Sequence, residues 1–244
     1  MTPGLSVVVP VYNEGENIAR LLNEIGDHLS PIDKEILVVY DFEEDDSIPV
    51  LRFLMGRYPY EIRLIRNDAN GVLRAILTGF RKARGSAILV VMADLSDDLS
   101  VVPRMIELFN EGYDVVCGSR YMPGGKQFGG QWLKKTLSRT AGLSLHFLTG
   151  IPTCDVTNSF KLYRKDFLGK INIESTGGFE IGMEITVKAF RAGRRITEIP
   201  TTWHDRHRGM SRFRMWKWLP RYIKWYLYAL GRNQGTNEYG KKRE

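Results

Sequence analysis

Three carboxylates follow closely on an uninterrupted apolar run: Ile88-Leu89-Val90-Val91-Met92-Ala93-Asp94-Leu95-Ser96-Asp97-Asp98. Such a run reads as a strand buried on both faces, with Gly85-Ser86 ahead of it as a break. Carboxylates just past the carboxyl end of a parallel strand stand where open α/β sheets bind their ligands. Hard oxygen donors at that place suit Mg2+ or Mn2+ shared with a diphosphate. A plainer reading is a solvated acidic loop in which Asp97 or Ser100 caps the next helix. Asp94, at the strand's end, is assigned the ligand role. Asp98 stands as the second candidate ligand, although for Asp98 taken alone a capping or solvated role is the favoured reading.

Further candidates follow the same logic. The run Leu5–Val11 ends at Tyr12-Asn13-Glu14, and Glu35–Tyr40 ends at Asp41, so polar groups gather beyond neighbouring strands. With Asp94 they would line a crevice for a nucleotide. Arg120 lies beside a Gly-rich turn directly after the strand Val115-Val116-Cys117, a place that suits anion binding. Tyr40 either stacks on a base or completes its strand. Glu180 and Glu184 are one helical turn apart and face the same side. His28, His146, His204 and His207 have no metal-ligand spacing among themselves.

The elements that must position these groups alternate. The strands at Leu5, Glu35, Ile62, Ile88 and Val115 are separated by helical patterns, among them Ile18, Leu21, Leu22, Ile25 and Leu29. Asn13 with Glu16 resembles a capping box ahead of the first helix. Alternation of this kind predicts a doubly wound, mostly parallel sheet. Past Gly118 the rhythm breaks. A loop over 119–125 precedes a helix over 132–148, strands are expected over 158–163 and 195–203, and a helix over 180–192 lies between them.

The chain has 244 residues, enough for a sizeable core, with 43% hydrophobic and 26% charged residues. A formal charge of +7 and an isoelectric point near 9.4 admit an anionic membrane, a phosphorylated substrate or nucleic acid as partner. No nucleic-acid motif is present, so no nucleic-acid partner is expected. Cys117 and Cys154 make no disulfide framework and suit a reducing compartment. Met1-Thr2-Pro3-Gly4 lacks the regions of a signal peptide, and no apolar run approaches the ~18 residues needed to span a bilayer. Arg214, Lys217, Arg221 and Lys224 form a basic stripe in a segment otherwise filled by Trp216, Trp218, Tyr222, Trp225 and Tyr226. That composition suits a helix in the membrane interface, or one packed on the sheet with its charges in water. Pro220 would kink it or start a second part. The expected division is a catalytic domain over 1–212 and an amphipathic interface segment with a disordered tail over 213–244.

Five collinear segments carry a resemblance: Val8-Val9-Pro10-Val11-Tyr12-Asn13-Glu14, Ala93-Asp94-Leu95-Ser96, Gly118-Ser119-Arg120-Tyr121, Ser159-Phe160-Lys161-Leu162-Tyr163-Arg164 and Gly178-Phe179-Glu180. Together they resemble the inverting family 2 glycosyltransferases of the GT-A fold, in the branch of dolichyl-phosphate mannose synthase. The resemblance implies transfer of a hexose, mannose or glucose, from a GDP- or UDP-linked donor to a polyprenyl or dolichyl phosphate. It implies a divalent metal, Mg2+ or Mn2+, and peripheral attachment at the cytoplasmic face of a membrane. Carried over by position, Pro10, Tyr12, Glu14, Asp41, Asp94 and Asp155 bind the nucleotide sugar, although Asp155 can equally cap a turn. Arg120, Lys134, Ser138 and Arg206 face the acceptor phosphate, and Asp94, Arg120 and Glu180 form the catalytic set. The chain departs from the family where Met92 replaces the first carboxylate of Asp-x-Asp and Tyr40 the first of Asp-Asp. These changes leave a weaker metal site unless Asp97, Asp98 or water substitutes. A nucleotide-sugar-binding protein with weakened catalysis is the competing reading; a membrane-surface module that recruits a partner is a third.

Overall fold

The computed structural model describes residues 4–205 and 215–231. Its strands are β1 (Leu5–Pro10), β2 (Lys34–Tyr40), β3 (Glu61–Arg66), β4 (Ala87–Val90), β5 (Val115–Ser119), β6 (Lys126–Phe128), β7 (Lys161–Arg164), β8 (Ile196–Pro200) and β9 (Thr202–His204). Its helices are α1 (Gly15–Leu29), α2 (Ser47–Leu54), α3 (Val72–Lys82), α4 (Val102–Asn110), α5 (Trp132–Thr149), α6 (Lys165–Leu168), α7 (Ile181–Arg191) and α8 (Met215–Leu230). Seven strands form one sheet in the order β3-β2-β1-β4-β7-β5-β8. All its neighbours run parallel except β7, which is antiparallel to both β4 and β5. The expected doubly wound, mostly parallel α/β architecture is therefore present.

Both faces of the central strands are covered, which explains their unbroken apolar sequences. Leu5, Val7 and Val9 of β1 join the core under α1, α2 and α4. Val8 points the other way, into the core under α3 and α7, as the two-residue period of a strand requires. A third cluster joins Leu145 of α5, Met183 and Val187 of α7, and Trp225 and Ala229 of α8.

Several local expectations are corrected. The helix after β1 is not closed by an Asn13–Glu16 box. Glu14 occupies the cap position without a side-chain cap bond, and Asn13 has φ = 52°, a left-handed value that Asn tolerates. The amides at this end of α1 are served instead by the acidic loop after β2. Asn13 N–H donates to Asp45 at 3.0 Å, Glu14 N–H to Ser47 at 2.9 Å and Gly15 N–H to Asp46 at 2.8 Å. The run expected over 195–203 is cut at Thr201 into β8, in the main sheet, and β9, which pairs with β6 in a small second sheet. Pro220 lies inside an unbroken α8.

Of the basic stripe of α8, Lys224 is exposed and Arg221 half-buried. Lys224 pairs with Glu174 at 3.1 Å and lies over the Trp225 ring, while Arg221 covers Trp218. Lys224 shares the exposed surface of α8 with Ile223, Leu227, Tyr228 and Leu230. The remainder of the expected tail, 232–244, and the side chains of Trp216 and Lys217 lie outside the described residues.

Candidate active site

The loop after β4 is a tight turn built on its own carboxylates. Ser96 N–H donates to Asp94 Oδ1 at 3.2 Å, and Met92 N–H donates to Asp97 Oδ2 at 3.1 Å. Between them Leu95 has φ = 61°, a strained value for a Leu and one that tends to persist at functional sites. β9 clamps the turn from outside: His204 N–H donates to Ser96 O at 3.1 Å, and Asp97 forms a bridge with Trp203. Asp97 is buried. Burial first, and the neighbouring Asp94 charge second, push its carboxyl up to about 7, against the opposing Met92 hydrogen bond. Asp98 turns away and caps the following 3-10 turn, accepting from Ser100 N–H at 3.1 Å. The second carboxyl beside Asp94 is thus Asp97 and not Asp98, because the Asp98 side chain is committed to a helix start.

Arg120, at the end of β5, is held by a buried network. Its Nε and Nη2 donate to the two oxygens of Asp155 at 2.6 and 2.9 Å, and Nη2 also reaches Ser138 at 3.2 Å and Thr157 at 3.1 Å. The Arg120 side chain is 11% exposed and that of Asp155 fully buried. Burial pushes the Asp155 carboxyl up, but Arg120 foremost, and then Lys161, outweigh it and hold it below the usual carboxylate range. Lys161 is itself fully buried and donates to the carbonyl of Val156 at 3.1 Å and to that of Asn158. Asp155 was expected in the nucleotide-sugar pocket. It is corrected here to the residue that orients Arg120, since it has no exposed surface. Ser138 comes within reach because α5 passes very close to this loop at Gly142, where an added Cβ would lie 2.0 Å from Cys154 O.

Asp94, Arg120, Lys134 and Ser138 line one cavity of about 360 Å³, together with Met92 and Ser96. Leu137 and Ala141 of α5, Phe179, Trp203, and Leu219 and Tyr222 of α8 complete its apolar and aromatic walls. Arg206, the fourth expected acceptor residue, lies outside the described residues.

The other expected nucleotide residues gather beyond β1 and β2, and of the expected set only Asp94 lines this cavity. Tyr12 is exposed and meets Phe42 edge-on at 5.2 Å; Pro10 is buried behind it. Asp41 accepts from Asn67 Nδ2 at 2.7 Å and from Gly71 N–H at 2.8 Å, tying β2 to the start of α3. Glu14 accepts from Asn17 at 2.7 Å. Tyr40 is buried, its hydroxyl donating to Glu43 at 2.9 Å, so it completes the strand rather than offering a face to a base.

Comparison with known proteins decides the family. The sequence profile described as "Glycosyl transferase family 2" matches residues 6–171. The chain belongs to glycosyl transferase family 2. It is 31% identical over 235 residues to a dolichol-phosphate mannosyltransferase of Pyrococcus furiosus, an alignment covering 95% of this chain and 64% of that protein. It is also 31% identical to a polyprenol monophosphomannose synthase of Mycolicibacterium smegmatis, covering 84% of this chain and 79% of the relative. Among solved structures it resembles glucosyl-3-phosphoglycerate synthase of Mycobacterium tuberculosis in complex with Mn2+, UDP-glucose and phosphoglyceric acid. That likeness has a TM-score of 0.68 at 15% identity, covers 94% of this chain and 80% of the other, and establishes the shared GT-A fold.

For this family 2 glycosyltransferase the donor set sets limits on a metal. Among the described residues no three His, Cys, Asp or Glu stand together as a cage. Asp94, on the cavity wall, fits Mg2+ or Mn2+ in the way those ions usually bind, through one or two carboxylates plus substrate phosphate oxygens and water, while Asp97 does not line the cavity. Glu180, expected in the catalytic set, is instead fully buried and accepts from Gly177 N–H at 2.7 Å and Gly178 N–H at 2.8 Å. It anchors the loop that presents Phe179 to the cavity, and this corrects its assignment. Glu184 is also buried, accepting from Glu174 and Ser175 amides and pairing with Lys188 at 2.8 Å. Thr157, Lys161 and Tyr222 were not singled out from the sequence as site residues. Thr157 and Lys161 flank or lie within the segment Ser159–Arg164 that carried the resemblance; nothing in the sequence placed Tyr222 beside them.

Proposed function

We propose that the chain transfers a hexosyl group, mannose or glucose, from a GDP- or UDP-linked donor to a polyprenyl or dolichyl phosphate, with inversion. The observation that carries this is the cavity itself: Asp94 and the Arg120–Ser138–Lys134 group share it with further polar side chains, and Leu137, Ala141, Phe179, Trp203, Leu219 and Tyr222 give it an apolar and aromatic wall. One end suits a charged diphosphate, the other a phosphate borne on an apolar chain. The relatives named above act, by their names, on dolichol and polyprenol phosphates, which supports the same acceptor class here.

The acceptor's chemistry explains why no general base is needed. A phosphate monoester has its second pKa near 6, so at neutral pH it is already an anionic nucleophile. Its oxygen attacks the anomeric carbon, the bond from that carbon to the donor diphosphate breaks, and the electron pair leaves on the diphosphate oxygen. Attack from the side opposite the leaving group inverts the carbon. The protein's task is positioning two anions in line. Asp155, Ser138 and Thr157 hold Nε and Nη2 of Arg120, leaving its Nη1 edge for the acceptor phosphate. A divalent ion held by Asp94 would supply positive charge against the leaving diphosphate.

The lipid acceptor requires the cavity to lie at a membrane surface, and we place it at the cytoplasmic face. No helix among the described residues is long and apolar enough to cross a bilayer. The two helices that wall the cavity nevertheless expose large apolar groups: Trp132 (76% exposed) and Phe147 (87%) on α5, and Leu227 (60%) on α8. Such groups beside a cavity mark an interaction surface.

The test is transfer with GDP-mannose and UDP-glucose, Mn2+ and a short-chain polyprenyl phosphate, with the product's anomeric configuration read by NMR. An inverted glycosyl phosphate is expected from the parent. Asp94→Asn should lose at least a hundredfold in rate at an unchanged melting temperature, because the leaving group loses its charge partner. A retained configuration would refute the in-line scheme. Donor binding without transfer to any acceptor would favour the nucleotide-sugar-binding reading.

A further inference from the structure

A second cavity of about 400 Å³ lies against the first, sharing Arg120, Tyr121, Gln127 and Lys135 as a common wall. The partition is fixed: Tyr121 Oη donates to Gln127 Oε1 at 3.1 Å or to Ser138 Oγ at 2.9 Å. Arg139, which does not line the first cavity, completes the second. Three cations, Arg120, Lys135 and Arg139, therefore wall a space with no Asp or Glu among its lining residues. Lys135 donates to a neutral partner, Gln127 O, at 3.2 Å, and Arg139 makes no ion pair among the described residues. Met122, Pro123 and Gly125, in the turn after β5, complete the lining. A Cβ on Gly125 would lie 2.4 Å from Ser119 O, so the chain folds back there as only glycine allows.

We propose that this second cavity binds a phosphate ester, separately from the acceptor phosphate held next to Asp94. Arg120 is already paired with Asp155, but Lys135 and Arg139 face a space with no carboxylate on its walls, and a phosphate supplies the missing anion with several acceptors for guanidinium and ammonium donors. Two sources carry that chemistry: the headgroup of an anionic bilayer lipid and a free phosphate ester. The lipid source rests on the membrane reading above and has support from α5. Residues 132, 136, 139, 143 and 147 recur at helical spacing, so Arg139 shares a face with exposed Trp132, Leu143 and Phe147. A phospholipid phosphate on Arg139 and Lys135 would seat that face and hold the neighbouring acceptor cavity at headgroup depth.

The experiment compares the parent with Arg139→Ala and Arg139→Lys, an exposed position whose change leaves the core intact. One arm measures sedimentation with phosphatidylglycerol/phosphatidylcholine vesicles and with phosphatidylcholine alone. The other measures thermal protection by glycerol 3-phosphate. A charged hydrogen bond to phosphate is worth enough to be seen as a tenfold or greater loss, so Arg139→Ala should lose that much binding and Arg139→Lys should recover part of it. Loss of the phosphatidylglycerol preference identifies the lipid source, and loss of glycerol 3-phosphate protection alone identifies the free ester; either supports the site. If the parent ignores every vesicle, the membrane reading fails and the glycerol 3-phosphate arm still decides the site. KM for a short-chain polyprenyl phosphate should stay unchanged in Arg139→Ala. A parallel rise in that KM, or no loss in either arm, overturns a separate phosphate site.

Discussion

Replacing Asp97 by Asn should alter how stability depends on pH, in a direction fixed by the burial of this carboxyl. Asparagine keeps the shape and an oxygen to accept the Met92 N–H, but it cannot ionise. In the parent, the carboxyl is pushed from an ordinary 3.8 up to about 7. Between those values the unfolded chain has released a proton that the folded protein still holds. Raising pH through that window therefore favours unfolding, and the loss is complete above about 7. At 1.36 kcal/mol per pH unit the full difference is roughly 4 kcal/mol, an upper figure for a site that relaxes when it ionises. The assay is denaturant unfolding of both proteins in metal-free buffer from pH 4.5 to 8.5. The variant should gain on the parent as pH rises from 5 to 7 and hold a constant lead beyond. Parallel profiles would show that Asp97 ionises as an exposed acid does and would remove the basis for placing it, buried, beside Asp94.

Two other changes test the support of Arg120. Asp155→Asn breaks the buried pair and should raise KM for the acceptor tenfold or more while leaving nucleotide affinity unchanged, at a stability loss of about 3–5 kcal/mol; initial rates against acceptor concentration and a denaturant titration measure the two. Gly142→Ala puts a methyl group where Cys154 O already lies 2.0 Å away. It should cost about 1–3 kcal/mol of stability through overpacking and reduce acceptor use, since α5 must shift and carry Ser138 with it; unchanged kinetics would sever that link.

What the sequence made legible is what depends on local pattern. The apolar runs that became β1, β2, β4 and β5 are legible because strands covered on both faces need no polar alternation. Asp94 and Arg120 are legible because each ends such a strand. Partnerships set by folding were not. Asp155 and Arg120 are 35 residues apart and meet only because antiparallel β7 brings the preceding loop to the end of β5. Nothing local marked Asp45 and Asp46 as the groups that serve the start of α1. Glu180 looked catalytic at its motif position; only the nearby glycine amides show that it anchors a loop. The stripe on α8 was read from helical period alone, which does not show that Lys224 meets Glu174 or that Arg221 lies over Trp218.

The buried charges around Arg120 make little sense as stabilisation. Lys161 and Asp155 are fully buried and the Arg120 side chain nearly so. Taking such groups out of water costs several kcal/mol each, and a well-packed apolar cluster of the same volume would commonly be at least as stable. Two cations, Arg120 and Lys161, share the buried carboxylate of Asp155 here. The arrangement becomes intelligible when an anion is counted as part of it. On the proposed function, an acceptor phosphate entering the cavity would meet a guanidinium whose orientation is already fixed by Asp155, Ser138 and Thr157, so little side-chain ordering would remain to oppose binding. The cost of desolvating Arg120 would then be met in folding, by the packing of β5, β7 and α5, rather than at each encounter with the proposed acceptor.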